Sequence, residues 1–465
     1  MAEHALHRHV VLAGFMGSGK TTLGRDVARR LGRSFLDADK VIEERTGRKI
    51  AEIFATDGEA AFRELETRTI RSLLDSRSNT VIALGGGAVV QPATREALRE
   101  AFVVHVPVDV GVAWTRVRNS DRPLARDEAM FRQLFAERAP LYAEVADAHA
   151  DDVDGVILAA AGIHHEEGAL DKLGDLVHGS GPVVVVTDEN VWPHYVDRVT
   201  ASLGDRLVHA YVLEPGEASK SHQVLDRLWN ALRIDRGGTI VAIGGGCVTD
   251  VAGFVAATYL RGVSWVSVPT SLVGQVDAAI GGKTAIDIAG GKNLIGSFHW
   301  PSRVVIDEGA LATLPERERR QGEAELVKTE ILANRTLGVR GAAAYKAGIC
   351  LQDPFDHGPR RWLNLGHTFA HALEAAAGFE LTHGDAVALG LLAALRISGR
   401  DTKVVEERLN PQPVSVDIDR AFEALLRDKK SLGGAINLVL LGPDGPIVEP
   451  RPAELVRAEL ARLIA

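Results

Sequence analysis

The junction of an apolar run with a glycine-rich turn at residues 9–21 constrains this chain more than any other stretch. His9-Val10-Val11-Leu12-Ala13 reads as a buried strand and opens into Gly14-Phe15-Met16-Gly17-Ser18-Gly19-Lys20-Thr21, a complete GxxxxGK[ST] phosphate loop. An amphipathic helix follows from Thr22 to about Leu31. Strand, loop and helix in that order imply a βαβ-type parallel sheet with flanking helices. The turn from Gly14 through Gly17, Ser18 and Gly19 to Thr22 offers backbone N–H groups to nucleotide phosphates at a helix N-terminus. Lys20 reaches the terminal phosphates and the Thr21 hydroxyl suits Mg²⁺. The bland alternative, a chance glycine turn, lacks a reason for the strand before it and the helix after it.

Length and charge set the frame. A chain of 465 residues holds two or three domains, and its 46% apolar and 25% charged residues describe an ordinary globular protein. A net charge of −9 with no long basic run argues against a nucleic-acid-coating surface. Cys247 and Cys350 are too few for a disulfide framework and fit a reducing compartment. No apolar run is long enough to span a bilayer, and the N-terminus enters a strand without a separate leader, so a cytoplasmic, membrane-free protein is expected.

The residues beyond the loop point to the acceptor of the nucleotide's phosphate. Phe35-Leu36-Asp37-Ala38-Asp39 ends a second strand with two carboxylates on one side. Phe62-Arg63-Glu64-Leu65-Glu66 places a guanidinium on a helix, suited to a bidentate grip on a small carboxylate. Val81 to Gly87 is a strand ending in the turn Gly85-Gly86-Gly87, which lets a ligand approach the backbone. Asp121-Arg122-Pro123-Leu124 and the stretch Arg138 to Tyr142 add two more arginines. Together these residues describe a pocket for a small anionic polyol beside a nucleotide. In order and spacing the set resembles shikimate kinase over about residues 9 to 150. The resemblance implies that Asp39 binds the shikimate hydroxyls and acts as general base, and that Asp37 holds Mg²⁺ through water. It further implies that Arg63 and Arg138 pair with the shikimate carboxylate, that Gly85, Gly86 and Gly87 contact the ring, and that Arg122 in a lid stabilises the transferring phosphoryl group. The acidic run Asp147 to Asp154 departs from the family, which usually has a basic residue near the adenine.

Residues 150 to 180 carry few core signals, and a domain boundary is expected near residue 160. His164 and His165 read as part of a solvated linker. Beyond it, Val183 to Asp188 is a buried strand with an acid at its carboxyl end, where nucleotide riboses dock. Thr239 to Asp250 repeats the theme of strand, glycine-rich turn and helix start, and Val266 to Ser271 adds a strand ending in hydroxyls. Glu214 to Lys220 offers paired charges, while lysines among glycines in 275–284 and 291–296 suit a polyanionic substrate. From Ala310 onward the pattern is mostly helical. The expected organisation is 1–160 as a phosphate-loop domain, 161–309 as an α/β nucleotide layer and 310–465 as a helical metal-binding part.

In that helical part, Asn364, His367, His371 and Glu374 recur at three- and four-residue intervals, which puts them on one helix face. His383 follows in a Thr-His-Gly-Asp turn and can fold back on the same face. Imidazoles joined by one carboxylate make a catalytic zinc site with an open position. Spacing alone nominates His367 and His371 as the ligand pair.

The stretches 244–254, 259–262, 276–283, 291–296, 324–328, 363–368 and 383–385 together resemble 3-dehydroquinate synthase. That resemblance implies zinc (or cobalt) on Glu325, His367 and His383, with His371 on the substrate instead. Substrate-site positions match at Asp277, Lys283, Lys292, Asn293, Lys328, Lys346, Arg360, Asn364 and Lys429. Of these, Lys283, Lys328 and Arg360, with His371, are expected to serve the chemistry. NAD⁺ contacts match at Asp188, Glu217, Lys220, Gly245, Gly246, Asp250, Thr270 and Ser271. Arg261 matches a residue that reaches the neighbouring subunit's site, which implies a homodimer. Against the family pattern, a helical insertion of about thirty residues between Glu325 and Lys346 is missing. The segment from Asp385 to Asp428 is short, no opening strand is recognisable before Gly168, and Asp385 stands where the family has Glu. The function these resemblances imply is a bifunctional enzyme running two non-consecutive steps of the shikimate pathway. The alternatives are a small-molecule kinase fused to a zinc/NAD alcohol dehydrogenase-like domain, or to an inactive regulatory synthase fold.

Overall fold

The computed structural model describes residues 4–119, 127–289, 291–378, 380–428 and 435–465. They fall into two compact units, Met1–Ile163 with Ala347–Gln352, and His164–Lys346 with Asp353–Ala465.

The first unit is built on a parallel sheet of β1 (Val10–Ala13), β2 (Phe35–Asp37), β3 (Val81–Ala83), β4 (Phe102–His105) and β5 (Ala148–His149), in the order β2-β3-β1-β4-β5. β1 is central and fully buried, which is why its sequence is apolar without alternation. The helix after the phosphate loop runs Lys20–Arg30 and starts on Gly19, whose φ of 90° lies in the left-handed region. β2 ends at Asp37, earlier than the sequence suggested. The Asp37 carboxylate accepts the Lys40 N–H and caps the helix Ala38–Thr46, so Asp39 sits in the first helical turn. The long helix Ile50–Leu74 bends at Gly58 and carries Arg63 and Glu66.

The region around residue 155 is not core-poor. Asp152 caps a helix, Val153–Ala160, that buries Val156, Ile157, Leu158 and Ala160. Asp147 accepts the Val103 N–H at 2.8 Å and Asp154 pairs with Arg30 at 3.5 Å, so the acidic run is used to build structure.

The second unit holds a six-stranded sheet in the order β6 (Ile163–His165), β13 (Arg303–Ile306), β10 (Ser264–Pro269), β9 (Thr239–Gly244), β7 (Val183–Asp188), β8 (Leu207–Leu213). β6 is the opening strand that the sequence does not reveal: with two histidines and one apolar residue it has no strand signature. Its histidines are not solvated linker residues, since His164 Nε2 meets Glu166 at 2.9 Å and His165 Nε2 meets Glu308 at 2.7 Å. Two antiparallel hairpins complete the strands: β11 (Lys283–Ile288) with β12 (Gly291–Phe298), and β14 (Ala435–Gly442) with β15 (Gly445–Pro452). The second hairpin interrupts a region that is otherwise helical, as expected. The helices that matter for function there are Glu316–Ala333, His367–Ala376 and His383–Ile397. The last is buried on nearly every face from Ala386 to Leu395, which makes it the centre of the helical layer.

Two local expectations change. Asn364 ends a separate 3₁₀ segment, Pro359–Asn364, because Gly366 (φ 80°) breaks the chain before the helix begins at His367. His383 lies in no turn: Thr382 caps the helix that His383 opens. Among the described residues, no helix is long and apolar enough to cross a membrane.

Two candidate active sites

In the first unit, the buried Lys20 Nζ donates to the Gly14 and Phe15 carbonyls at 2.7 and 2.9 Å and reaches Ser18 Oγ at 3.2 Å. The ammonium is thus held inside the loop, beside the backbone N–H groups from Gly17 to Thr22 at the helix N-terminus. Thr21 Oγ1 donates to Asp37 Oδ2 at 2.7 Å. A hydroxyl and a carboxylate in contact, both oxygen donors, fit a Mg²⁺ ion that keeps most of its waters.

The triple glycine lies against three charged side chains. A Cβ at Gly85 would lie 2.5 Å from Asp39 Oδ1 and 2.7 Å from Glu66 Oε1, and one at Gly87 would collide with the Arg63 guanidinium. Only glycines there let Asp39, Arg63 and Glu66 converge. Arg63 is buried and donates to Glu66 Oε2 at 2.7 Å and to Glu59 Oε1 at 3.0 Å. Burial pushes the Glu66 carboxyl up to about 7, against the pull of Arg63. Arg138 and Tyr142 both donate to the Gly86 carbonyl, at 3.1 and 2.5 Å, which fixes Arg138 beside Arg63. Asp39, Arg63, Arg138 and the glycines are therefore brought together; Arg122 lies outside the described residues. Sequence reasoning assigns no role to Glu66, although its i, i+3 spacing to Arg63 is an available signal.

In the second unit a cavity of about 1180 Å³ opens at the carboxyl ends of β7, β9 and β10. Asp188, Gly245, Gly246, Thr270 and Ser271 form one end of its wall. Asp188 Oδ1 accepts the Asn190 and Val191 N–H groups at 2.9 and 3.0 Å, which fixes the carboxylate at the strand end. Lys220 Nζ pairs with Asp250 at 2.8 Å and with Glu217 at 3.4 Å. Burial raises Asp250 to about 6 despite that lysine. A dinucleotide of ordinary size fits this space and this donor set.

The far end of the cavity is lined by Asp277, Lys292, Asn293, His371, Glu374 and His383. Behind it, Glu325, His367 and His383 each offer a donor atom within 4.8 Å of the others, the one such group among the described residues. Glu325 Oε1 is 3.4 Å from His367 Nε2 and 3.0 Å from His383 Nε2. Bonds of about 2.0–2.1 Å to one tetrahedral ion place donors about 3.3 Å apart, so this set fits zinc. His371 is not in the group. Its ring lies 5.5 Å from that of His367, one helical turn on, and faces the cavity. The pair nominated by spacing is replaced because His383 opens a second helix that packs against the first. Glu374 meets His383 Nδ1 at 3.4 Å. Burial lowers the His383 imidazole, but the hydrogen bonds it donates to the Glu325 and Glu374 carboxylates outweigh it and raise it to about 10.

Lysines crowd the metal donors. Lys328 is fully buried, ion-paired to Glu325 and 3.6 Å from Asp277; Lys346 pairs with Asp277 at 2.8 Å. Burial would raise the Asp277 carboxyl, yet the two ammonium groups hold it below the usual range. Lys346 thus joins Lys328 at the Asp277 carboxylate. Arg360 is buried, donating to the Gly281 and Pro354 carbonyls, while Lys283 Nζ contacts Asp356 Oδ2 at 2.5 Å. Neither is part of the cavity wall. Arg261 is exposed, away from that wall, in a left-handed backbone (φ 66°). Lys429 lies outside the described residues. Sequence reasoning places Glu374 on the histidine face of the helix but misses Asp356 and Asp287 as site-supporting acids, neither of which has a spacing signal.

Comparison with known proteins places these geometries in families. The shikimate kinase family model matches residues 16–160. The models for the N-terminal and C-terminal parts of 3-dehydroquinate synthase match 210–321 and 317–431. A bifunctional shikimate kinase/3-dehydroquinate synthase of Thermotoga maritima is 34% identical over 96% of this chain and 99% of its own length. A 3-dehydroquinate synthase of Salinibacter ruber is 40% identical over 58% of this chain and 84% of its own. The solved structure of 2-deoxy-scyllo-inosose synthase complexed with carbaglucose-6-phosphate, NAD⁺ and Co²⁺ shares the fold, with a TM-score of 0.59, 23% identity, and coverage of 64% of this chain and 96% of that one. The 2-epi-5-epi-valiolone synthase of Streptomyces hygroscopicus, solved with NAD⁺ and Zn²⁺, gives a TM-score of 0.54 at 25% identity, over 65% of this chain and 96% of that one. Matched along nearly its whole length by a relative that joins both enzymes, the chain belongs to the bifunctional shikimate kinase/3-dehydroquinate synthase family.

Proposed function

We infer that the chain catalyses two reactions. One is ATP-dependent phosphorylation of shikimate to shikimate 3-phosphate. The other is NAD- and metal-dependent conversion of 3-deoxy-D-arabino-heptulosonate 7-phosphate to 3-dehydroquinate with release of phosphate. The observation that carries the reading is a full-length relative with both activities in its name, on a chain where Asp39, Arg63 and Arg138 meet the glycine turn and Glu325, His367 and His383 lie within reach of one ion. The fused-dehydrogenase and inactive-synthase alternatives are not favoured. A simple alcohol needs no lysine cluster around Asp277, and an inactive fold has no reason to retain the three metal donors.

In the kinase, Lys20 and the loop amides bind the ATP phosphates while Thr21 and Asp37 hold Mg²⁺. Arg63 and Arg138 orient shikimate through its carboxylate, and Asp39 takes the proton from the attacking hydroxyl. Arg122 lies in the segment expected to cover the transferring phosphoryl group. Because phosphoryl transfer has little covalent chemistry for the protein to do, placement of these charges is the main contribution.

In the synthase, Glu325, His367 and His383 would hold zinc or cobalt, and Asp188, Glu217, Lys220, Gly245, Gly246, Asp250, Thr270 and Ser271 would hold NAD⁺. When bound, the metal supplies Lewis acidity toward the substrate's oxygen atoms and NAD⁺ a transient hydride acceptor. Lys283, Lys292, Lys328, Lys346 and Arg360, with Lys429, bind the phosphate and carboxylate. Asp277 keeps Lys328 charged and holds Lys346 in place through an ion pair at 2.8 Å, Asn293 and Asn364 orient hydroxyls, and His371 accepts or returns protons at the substrate face of the cavity. The three-part division at residues 160 and 309, a homodimer with Arg261 reaching the partner's site, and a cytoplasmic location complete the reading.

The test is direct. Purified protein supplied with the heptulosonate phosphate should release phosphate only with NAD⁺ and a divalent metal, and should form ADP from ATP only with shikimate. Absence of either reaction in folded, metal-loaded protein removes that half of the assignment.

A further inference from the structure

The hairpin β11–β12 carries Lys283 on one strand and Lys292–Asn293 on the other, and it is irregular at one point. Ile286 pairs with Ile295 and Ile288 with Gly291, so Asp287 alone stands opposite Lys292, Asn293 and Leu294. A bulge of this kind re-aims side chains and is common beside active sites. Here it turns Lys292 and Asn293 into the cavity wall. Asn293 adopts φ 56°, a left-handed conformation that asparagine tolerates better than other side-chain-bearing residues and that a local hydrogen bond fixes here.

Asp287 Oδ1 accepts the Asn293 N–H at 2.8 Å. On its other side, the Asp287 backbone N–H donates to the Lys220 carbonyl at 2.8 Å, and its carboxylate lies against that of Glu217. Lys220 Nζ then bonds the Asn293 side-chain oxygen, and Glu217 pairs with Lys292 at 3.4 Å. Glu217 and Lys220 belong to the nucleotide end of the cavity, Lys292 and Asn293 to the substrate end. Asp287 is bonded to both.

We propose that Asp287 is a positioning residue: it fixes the Lys292–Asn293 bulge and ties it to the Glu217–Lys220 loop, so that nucleotide binding orders the substrate's anion-binding strand. This deepens the synthase reading and rests on it. The hydrogen bond, not the charge, carries the effect, because the acceptor oxygen meets a backbone N–H.

Asp287→Ala and Asp287→Asn in the full chain separate the possibilities. Hydrogen exchange over residues 291–298 should slow when NAD⁺ is added to wild type. In Asp287→Ala the segment should exchange about tenfold faster and lose that response, while Asp287→Asn, which keeps the acceptor, should restore it. The KM for the heptulosonate phosphate should rise about tenfold in the alanine variant and return to within about threefold in the asparagine variant, with shikimate kinase activity unchanged in both. Unaltered exchange and KM in Asp287→Ala overturns the proposal, and so does an asparagine variant as impaired as the alanine one. Wild-type protein that releases no phosphate sinks the synthase reading instead, and the exchange result still decides the role of Asp287.

Discussion

Two histidines one helical turn apart, His367 and His371, look equivalent in sequence but not in space. His367 shares Glu325 with His383, while His371 faces the cavity. His383→Ala should therefore lose bound zinc, and His371→Ala should keep it stoichiometrically while turning over poorly, as elemental analysis of the two folded variants will show. Zinc kept by the first and lost by the second would reverse the ligand set. In the kinase, Arg63→Ala removes a charge-assisted pair worth about 1.5–3 kcal/mol, so the KM for shikimate should rise roughly tenfold or more with that for ATP little changed. Glu66 makes a pH prediction. Its carboxyl sits at about 7 against an ordinary 4.5, so between those values the folded chain holds a proton that the unfolded chain has lost. Stability of this unit should fall as pH rises through that window, by up to roughly 3 kcal/mol, and Glu66→Gln should flatten the slope in urea unfolding at pH 5 and pH 7. A slope unchanged in the variant would assign the dependence elsewhere.

At the scale of elements, the metal donors depend on how two helices meet. Gly366 sits at φ 80°, and a Cβ there would lie 2.8 Å from the Leu391 N and 2.9 Å from the Gly390 carbonyl carbon. Gly366→Ala should cost about 1–3 kcal/mol and push the helix His367–Ala376 off the helix His383–Ile397, lowering both melting temperature and zinc content. Unchanged melting would mean the crossing is looser than the contacts imply. These packing relations explain what sequence could and could not reveal. The phosphate loop, the glycine turn at Gly85–Gly87 and the strand Val183–Asp188 are local patterns, legible because each element dictates its own residues. Glu325 with His383 was legible only through family resemblance, since 58 residues separate them and no periodicity spans that gap. The strand β6 was invisible because pairing with β13, not composition, makes it a strand. The break at Gly366 and the bulge opposite Asp287 are backbone events, set by positive φ and register, that side-chain patterns do not announce.

At the scale of the molecule, the two units have separate cores and separate charged pockets. The phosphate loop belongs to Met1–Ile163, while the nucleotide cavity and metal donors belong to His164–Lys346 and Asp353–Ala465. In the proposed reading neither site's chemistry requires the other: Lys20 would serve ATP phosphates alone, and the lysines around Asp277 a sugar phosphate. Two reactions on one chain with independent machinery is the central claim. The most direct measurement is a paired assay, shikimate-dependent ADP formation and NAD⁺-dependent phosphate release, on wild type and Lys20→Ala. Lys20→Ala should abolish the first reaction, by at least about a thousandfold, and leave the second within about twofold of wild type. Equal loss of both reactions in a variant that is folded and retains its zinc would contradict that claim.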